Sequence, residues 1–378
     1  MRERVVIVGG GIHGCATAWY LARQGADVHL LEAATVASGA SGGFGKRGVR
    51  ANRRDLREIP LMRAAYDIWP RLAEELGTPT GYERTGGLNL IERETTGTTG
   101  GTVAAEAHAN VQRNLGIPTE VLDTGRVREL EPDVSADVRA ALYCPMDGIA
   151  DHTATTRGLA EAARRHGATV REGTAVVDAH RDGDRVTSVV TDSGETVDVG
   201  GTLLLLNNTG AVPLVREISG AELPVWRVLP QALLLNPGSE GGSPRHLLGH
   251  DHRPLALKRL PDGRVMLSGG WRGRWNAEQG RGELLQDSVE GNLGTAAQVF
   301  RHLRDARLET ADASRAESCS ADGIPVVDTV PGTSNVIVGT GWSGHGFAIA
   351  PAVAKLLAQW VCTGSRPDHL LPFSYARF

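Results

Sequence analysis

Lysine is almost missing from this chain: of 40 basic residues in 378, only three are lysines, Lys46, Lys258 and Lys355. The bias toward arginine is compositional, and it makes each lysine worth placing. The basic residues form no stripe and the net charge is −4, which argues against a nucleic-acid groove. Cysteine is scarce as well. Cys15, Cys144, Cys319 and Cys362 stand far apart with no CxxC pair and no secretory signal ahead of them, so a reducing, cytoplasmic setting is expected. No apolar run approaches a membrane span, since the longest, TLLLLNNTG, turns polar after five residues. What is present is 41% hydrophobic content, enough to fill the core of one large domain or two interleaved ones.

The first residues, RERVVIVGGGIHGCATAWYLARQGADVHLLE, pass from a β-branched run into glycines, a helical stretch and a second apolar run, which is a βαβ unit. Residues 51–76 read as an amphipathic helix, and 91–102 as a polar loop. From 154 a helical segment leads into a strand, and RDGDR and DSGE punctuate two further runs to make a three-stranded meander. PDGR at 261–264 turns a hairpin of LALKRL and VMLSGG. The last hundred residues return to helix, turn, strand and a final helix, so the C-terminus completes the first domain.

Gly9, Gly11 and Gly14 form GxGxxG between strand and helix. That pattern supplies a tight turn, close approach to a pyrophosphate and close helix packing. Glu32 ends the second strand eighteen residues after Gly14, where a carboxylate accepts hydrogen bonds from ribose hydroxyls and repels a 2′-phosphate. The ligand is an adenine dinucleotide, FAD or NAD.

The stretch ASGASGGFGKRGVR after the second strand and GWSGHGF near the C-terminus make the chain similar to FAD-dependent amine and amino-acid oxidoreductases, the glycine oxidase, sarcosine oxidase and D-amino-acid dehydrogenase group. TAVVDA, NNTGAV and ADGIPVVD match that family in order. The resemblance implies an α/β (α+β) chain with a Rossmann-like FAD-binding domain at 1–85, 145–210 and 315–378, and an interleaved β-rich substrate domain at 86–144 and 211–314. It implies FAD contacts from Gly9, Gly11, Ile12, His13, Gly14, Glu32 and Ala33, then from Ser41, Gly42 and Arg47. Further contacts fall on Val176, Thr209, Gly210, Gly341, Gly344 and Gly346. GWSGHGF would bring backbone N–H groups and a helix start against the flavin, where charge accumulates on reduction.

The implied reaction is oxidation of the C–N bond of an amine or amino acid, with oxygen or another acceptor taking the electrons. Arg50 would clamp a substrate carboxylate; Lys46, Trp342 and His345 complete the candidate catalytic set. The chain departs from the family's pattern in three places. Ala348 stands where sarcosine oxidases have a carboxylate-binding Lys, Arg315 where they have a flavin-tethering Cys, and VMLSGG lacks their oxygen-activating Lys. FAD is therefore expected to be non-covalent, with Cys319 on the order of 13 Å from the tether position at about 3.3 Å per residue. His250 and His252 read as exposed or as lining the substrate mouth, with no third metal ligand nearby, and no metal is expected. Trp271 and Arg272 suit the substrate wall or ordinary packing. An NAD-linked dehydrogenase is the alternative from the same fold. A homo-oligomer, or the flavin-bearing subunit of a sarcosine-oxidase-type complex, is a possible assembly; no membrane span is expected.

Overall fold

A computed structural model describes residues 4–43, 45–238 and 242–378; Phe44 of the Ser/Gly-rich stretch lies outside them. The β-branched run Arg4–Val8 is a strand buried along nearly its whole length, as expected where helices or further strands cover both faces of a parallel sheet. It sits inside a six-stranded sheet whose order is 326–329, 336–340, 203–205, 4–8, 27–31 and 169–171. All neighbours are parallel except the pair 326–329 and 336–340. Helices Ile12–Arg23, His152–Arg165, Ile59–Leu76 and Gly346–Thr363 share one core with this sheet, centred on Trp19, Met62, Tyr66, Trp69 and Leu357. The three-stranded meander 176–182, 185–191 and 196–198 is present and antiparallel, with register shifts at Val186/Ser188 and Val190/Thr191, and packs in a second core with Val6, Val8 and Leu203.

A second, eight-stranded sheet stands over the first region, in the order 307–312, 232–236, 265–268, 256–259, 247–250, 87–91, 140–144 and 120–123. It is antiparallel but for one parallel pair, 247–250 with 87–91, and has its own core around Leu88, Leu235, Leu257, Val265 and Phe300. The ribbon of Lys46–Val49 against Gly148–Asp151 carries the chain beneath this sheet: a Cβ on Gly45 would lie 2.8 Å from Met266 Sδ, and one on Gly48 3.1 Å from Leu247.

Two expectations change. The helix expected over 51–76 starts at Ile59, with Pro60 in the first turn, where its missing N–H costs nothing; residues 50–54 form an irregular turn in which Arg53 has φ +61°. Helix Ala211–Ser219, assigned by sequence to the substrate domain, buries Ala211, Leu214, Val215 and Ile218 in the core of the six-stranded region. Among the described residues one helix, Gly346–Thr363, is long and apolar enough to cross a membrane, but 61% of it is buried inside the protein. It is the central core helix, packed on Ile12–Arg23 and Ile59–Leu76.

Candidate active site

Between the two sheets lies a cavity of about 730 Å³. One end is backbone. Gly9 turns at φ +112° where a Cβ would come within 2.7 Å of the Leu206 carbonyl, and a Cβ on Gly14 would sit 1.9 Å from the Gly9 carbonyl. Only hydrogen fits at either place, so helix Ile12–Arg23 starts tight against the strand. Around Gly11 the space is open, and no side chain caps that helix. Its first N–H groups and positive dipole end are therefore free for an anion. Glu32 is held at the strand end by the N–H groups of Gly10 (2.6 Å) and Ala34 (2.9 Å), leaving carboxylate lone pairs for ribose hydroxyls. Ala33, Ile12, Val176 and Gly210 also line this end. The open cradle, the uncapped helix start and the fixed carboxylate fit an adenine dinucleotide.

A second helix start faces the same cavity. Trp342, Ser343, Gly344, His345, Gly346 and Phe347 line it, and Gly346–Thr363 also lacks a side-chain cap. The segment is folded back by Ser343, a non-glycine residue at φ +52°, whose N–H donates to the Ser318 carbonyl. The Trp342 ring stacks on His13 at 3.6 Å and 8°, tying the two helix starts together. Burial holds the His13 imidazole far below its usual pKa, at about 3, against a smaller raising effect of the Gly346 backbone.

The arginine-rich stretch divides by function. Arg47 donates to the carbonyls of Ser41 (2.9 Å) and Gly43, pinning the Ser/Gly-rich wrap, while Ser41 donates to Glu317 (2.7 Å). Ser41 and Gly42 line the cavity, as do Arg50 and Arg53, which donate to the Asn52 and His250 carbonyls. Burial lowers Arg47 and Arg50 to about 10, so both remain cations at neutral pH. Arg54 turns inward, paired with Glu58 at 3.0 Å with both side chains almost fully buried, and donates to the His345 carbonyl at 3.1 Å. Glu58 Oε2 lies 3.8 Å from His345 Nδ1, and among the described residues both atoms lack a hydrogen bond. Burial first, then Arg54, Arg50 and Arg53, holds the His345 imidazole well below its usual pKa, in its neutral form.

Several sequence expectations are corrected. Lys46 does not line the cavity; one residue before Arg47 on an extended strand it faces the other way, and its ammonium pairs with Glu83 at 2.5 Å. Gly14 serves packing rather than lining. Thr209 is absent from the walls, and Gly341 donates its N–H to Ser318 Oγ at 2.9 Å, so it shapes the turn without facing the cavity. Cys319 lines the cavity, and its thiol is pushed up in pKa by burial, then by Glu317. Arg272 lines the wall, whereas the Trp271 ring packs against Gly291.

His250 and His252 are not exposed, and they do have a third neighbour, Glu92: one donor atom from each residue lies within a 4.8 Å cluster. His250 Nδ1 accepts the backbone N–H groups of His252 (3.3 Å) and Arg253 (3.2 Å). Its proton is therefore on Nε2, 3.4 Å from Glu92 Oε1, and that nitrogen has no lone pair to offer an ion. Arg253 pairs with the other Glu92 oxygen at 2.8 Å. The cluster is an ion pair between the buried Glu92 and the partly exposed Arg253, with histidines around it.

Arg53, Lys258, Glu317 and the Arg54–Glu58 pair were not singled out as site residues from sequence. The usable signals were the rarity of lysine and the density of arginine at 47–54.

Among known proteins, the family described as FAD dependent oxidoreductase matches residues 4–360. The sarcosine oxidase subunit beta of an Arthrobacter species is 27% identical over 384 residues, 99% of this chain and 90% of that protein. The glycine oxidase of Geobacillus kaustophilus is 27% identical over 400 residues, 100% and 97% of the two chains. The crystal structure of L-proline dehydrogenase from P. horikoshii superposes with a TM-score of 0.89 at 21% identity, covering 100% of this chain and 98% of that one. Two other relatives are longer, and the chain spans 44% and 43% of their length.

Proposed function

The chain belongs to the family of FAD-dependent oxidoreductases, and we propose that it oxidises the C–N bond of an amine or amino acid to an imine. The observation that carries this reading is the meeting of Arg50, His345 and two uncapped helix starts on one cavity. The residues of the first glycine turn would hold the FAD pyrophosphate, Glu32 the ribose, and the wrap pinned by Arg47 the rest of the cofactor. Bound FAD supplies the acceptor for the hydride that leaves the carbon next to nitrogen. The residues of this chain do the rest. Arg50 offers a planar fork to a carboxylate. Arg50 and Arg53 make the cavity cationic and so disfavour a bound ammonium, promoting the neutral amine whose lone pair drives hydride loss. His345, neutral and backed by Glu58, offers a ring nitrogen to the amine N–H. The imine then hydrolyses in water.

The reading is tested by mixing the FAD-loaded protein anaerobically with a panel of amines and amino acids and following bleaching of the flavin absorbance. Bleaching by at least one amino acid is expected; a spectrum unmoved by the whole panel overturns it. We further propose that FAD is dissociable, because Arg315 cannot form a thioether and the Cys319 thiol resists ionisation. Acid precipitation should leave free FAD in the supernatant. The free cysteines, one of them exposed, support a cytoplasmic setting, which fractionation of the source cells tests. A second reading, a flavin-bearing subunit of a larger assembly, is favoured by the coverage of the Arthrobacter relative; co-purification from native extract tests it.

A further inference from the structure

Part of the wall at the Arg50 end is formed by the hairpin of the eight-stranded sheet, where Lys258 pairs across strands with Met266 and both line the cavity. Lys258 is 5% exposed. Among the described residues the charged groups it feels are Arg47 and Arg50, with no carboxylate among them. Arg47 spends its fork on carbonyls of the wrap. Arg50 and Arg53 each give one bond to a backbone carbonyl, leaving most of their five N–H donors. Their nearest acids lie outside the walls: Asp147, near Arg50, accepts from Tyr66 Oη and the Ala51 N–H (2.7 Å) through Oδ1 while its Oδ2 has no hydrogen-bond partner among the described residues, and Asp251, near Arg53, accepts from Gly101 N–H (3.0 Å). Glu317 is the acid that faces this part of the cavity, and it is tied to Ser41.

We propose that the substrate carries two carboxylates, one held by Arg50 with Arg53 and the second paired to Lys258 on the hairpin. This inference rests on the amine-oxidation reading and specifies its substrate class, an amine or amino acid with a second acidic group on the nitrogen substituent or side chain. A single carboxylate on Arg50 would leave the Lys258 ammonium buried without a counter-charge, which is costly; a second one removes that cost. Burial, with Arg47 and Arg50, brings Lys258 down to about 7, and an arriving carboxylate favours its charged form.

The test uses FAD-loaded protein and non-oxidisable anions at matched ionic strength, read by thermal shift and by perturbation of the flavin spectrum. Succinate and glutarate are expected to bind about tenfold tighter than acetate and butyrate, a difference of about 1.4 kcal/mol. Lys258→Met and Lys258→Gln should each abolish that preference while monocarboxylate affinity stays within about twofold. Equal affinity for both classes in the unmodified protein, a preference that survives in both variants, or equally tight binding of sulfate overturns the inference. In a separate arm, iminodiacetate should bleach the flavin at a higher kcat/KM than sarcosine, which lacks only the second carboxylate. A higher value for sarcosine overturns the two-carboxylate assignment and leaves amine oxidation standing, whereas a flavin that no amine bleaches overturns the functional reading while the anion preference is still measured.

Discussion

The two ends of the cavity recognise their ligands by different means. At the glycine turn the walls are backbone: uncapped N–H groups, an open space over Gly11 and a single carboxylate fixed by two main-chain donors. At the far end the walls are side chains from three separate parts of the chain, Arg50 and Arg53 from an irregular turn, Lys258 from a hairpin and His345 from a helix start. Backbone recognition tolerates little change of residue, because at Gly9 and Gly14 an added Cβ collides with the chain itself. Side-chain recognition is free to change, and with it the substrate.

The largest effect should come from breaking the backbone end. Gly14→Ala places a methyl 1.9 Å from a carbonyl oxygen, so helix and strand must part. A loss of about 4 kcal/mol or more in stability and near-complete loss of FAD are expected, read by denaturant unfolding and by the absorbance of purified protein. Normal flavin content would show that this end is as adaptable as the other.

Glu58→Gln probes the support beneath the side-chain end. It leaves the Arg54 cation buried without a counter-charge, and breaking buried pairs costs up to about 3–5 kcal/mol; since Gln keeps one hydrogen bond, about 2 kcal/mol is expected, with FAD retained. If Glu58 also orients His345, kcat should fall more than KM rises, a split that a purely structural role does not produce.

Arg50→Lys tests the carboxylate end alone. An ammonium cannot reproduce the planar fork, so KM for a bleaching amino acid should rise about tenfold or more with flavin content unchanged. An unaltered KM would remove Arg50 from the substrate wall.

The smallest effect concerns Lys258, and its sign is opposite. Its pKa falls from 10.5 to about 7 in the folded protein, so between these values the unfolded chain binds more protons and stability rises with pH. Below about 7 the burial penalty is complete; above 10.5 it is gone. Lys258→Met should therefore raise Tm at pH 6, by a gain of about 1 kcal/mol, and the gain should shrink toward pH 10. A gain independent of pH would mean that Lys258 pays no ionisation penalty in the fold.

The sequence was most legible where one short stretch does the whole job. GxGxxG and the carboxylate after the second strand describe a turn, a helix start and a strand end that touch one another locally, and the structure has all three. The basic stretch KRGVRANRR was legible as a cluster but not as a division of labour. Alternation on the strand turns Lys46 to Glu83 and Arg47 to the wrap, and the left-handed backbone at Arg53 then sends Arg53 to the cavity and Arg54 to Glu58. No local signal predicts that backbone reversal in a residue other than glycine. His250 and His252 read as exposed or as lining the substrate mouth because their loop is polar, yet Glu92 and Arg253, brought in by the neighbouring strand and the turn itself, gather them around an ion pair.

By itself the sequence determined the βαβ unit, the dinucleotide end of the cavity and the meander and hairpin turns, because each depends on glycine spacing, alternation or turn chemistry within a few tens of residues. Only the tertiary structure decided which cations share the far wall. Lys258 and Arg50 are some two hundred positions apart and meet because one sheet closes over the other, and burial between two separately packed cores makes their charges matter.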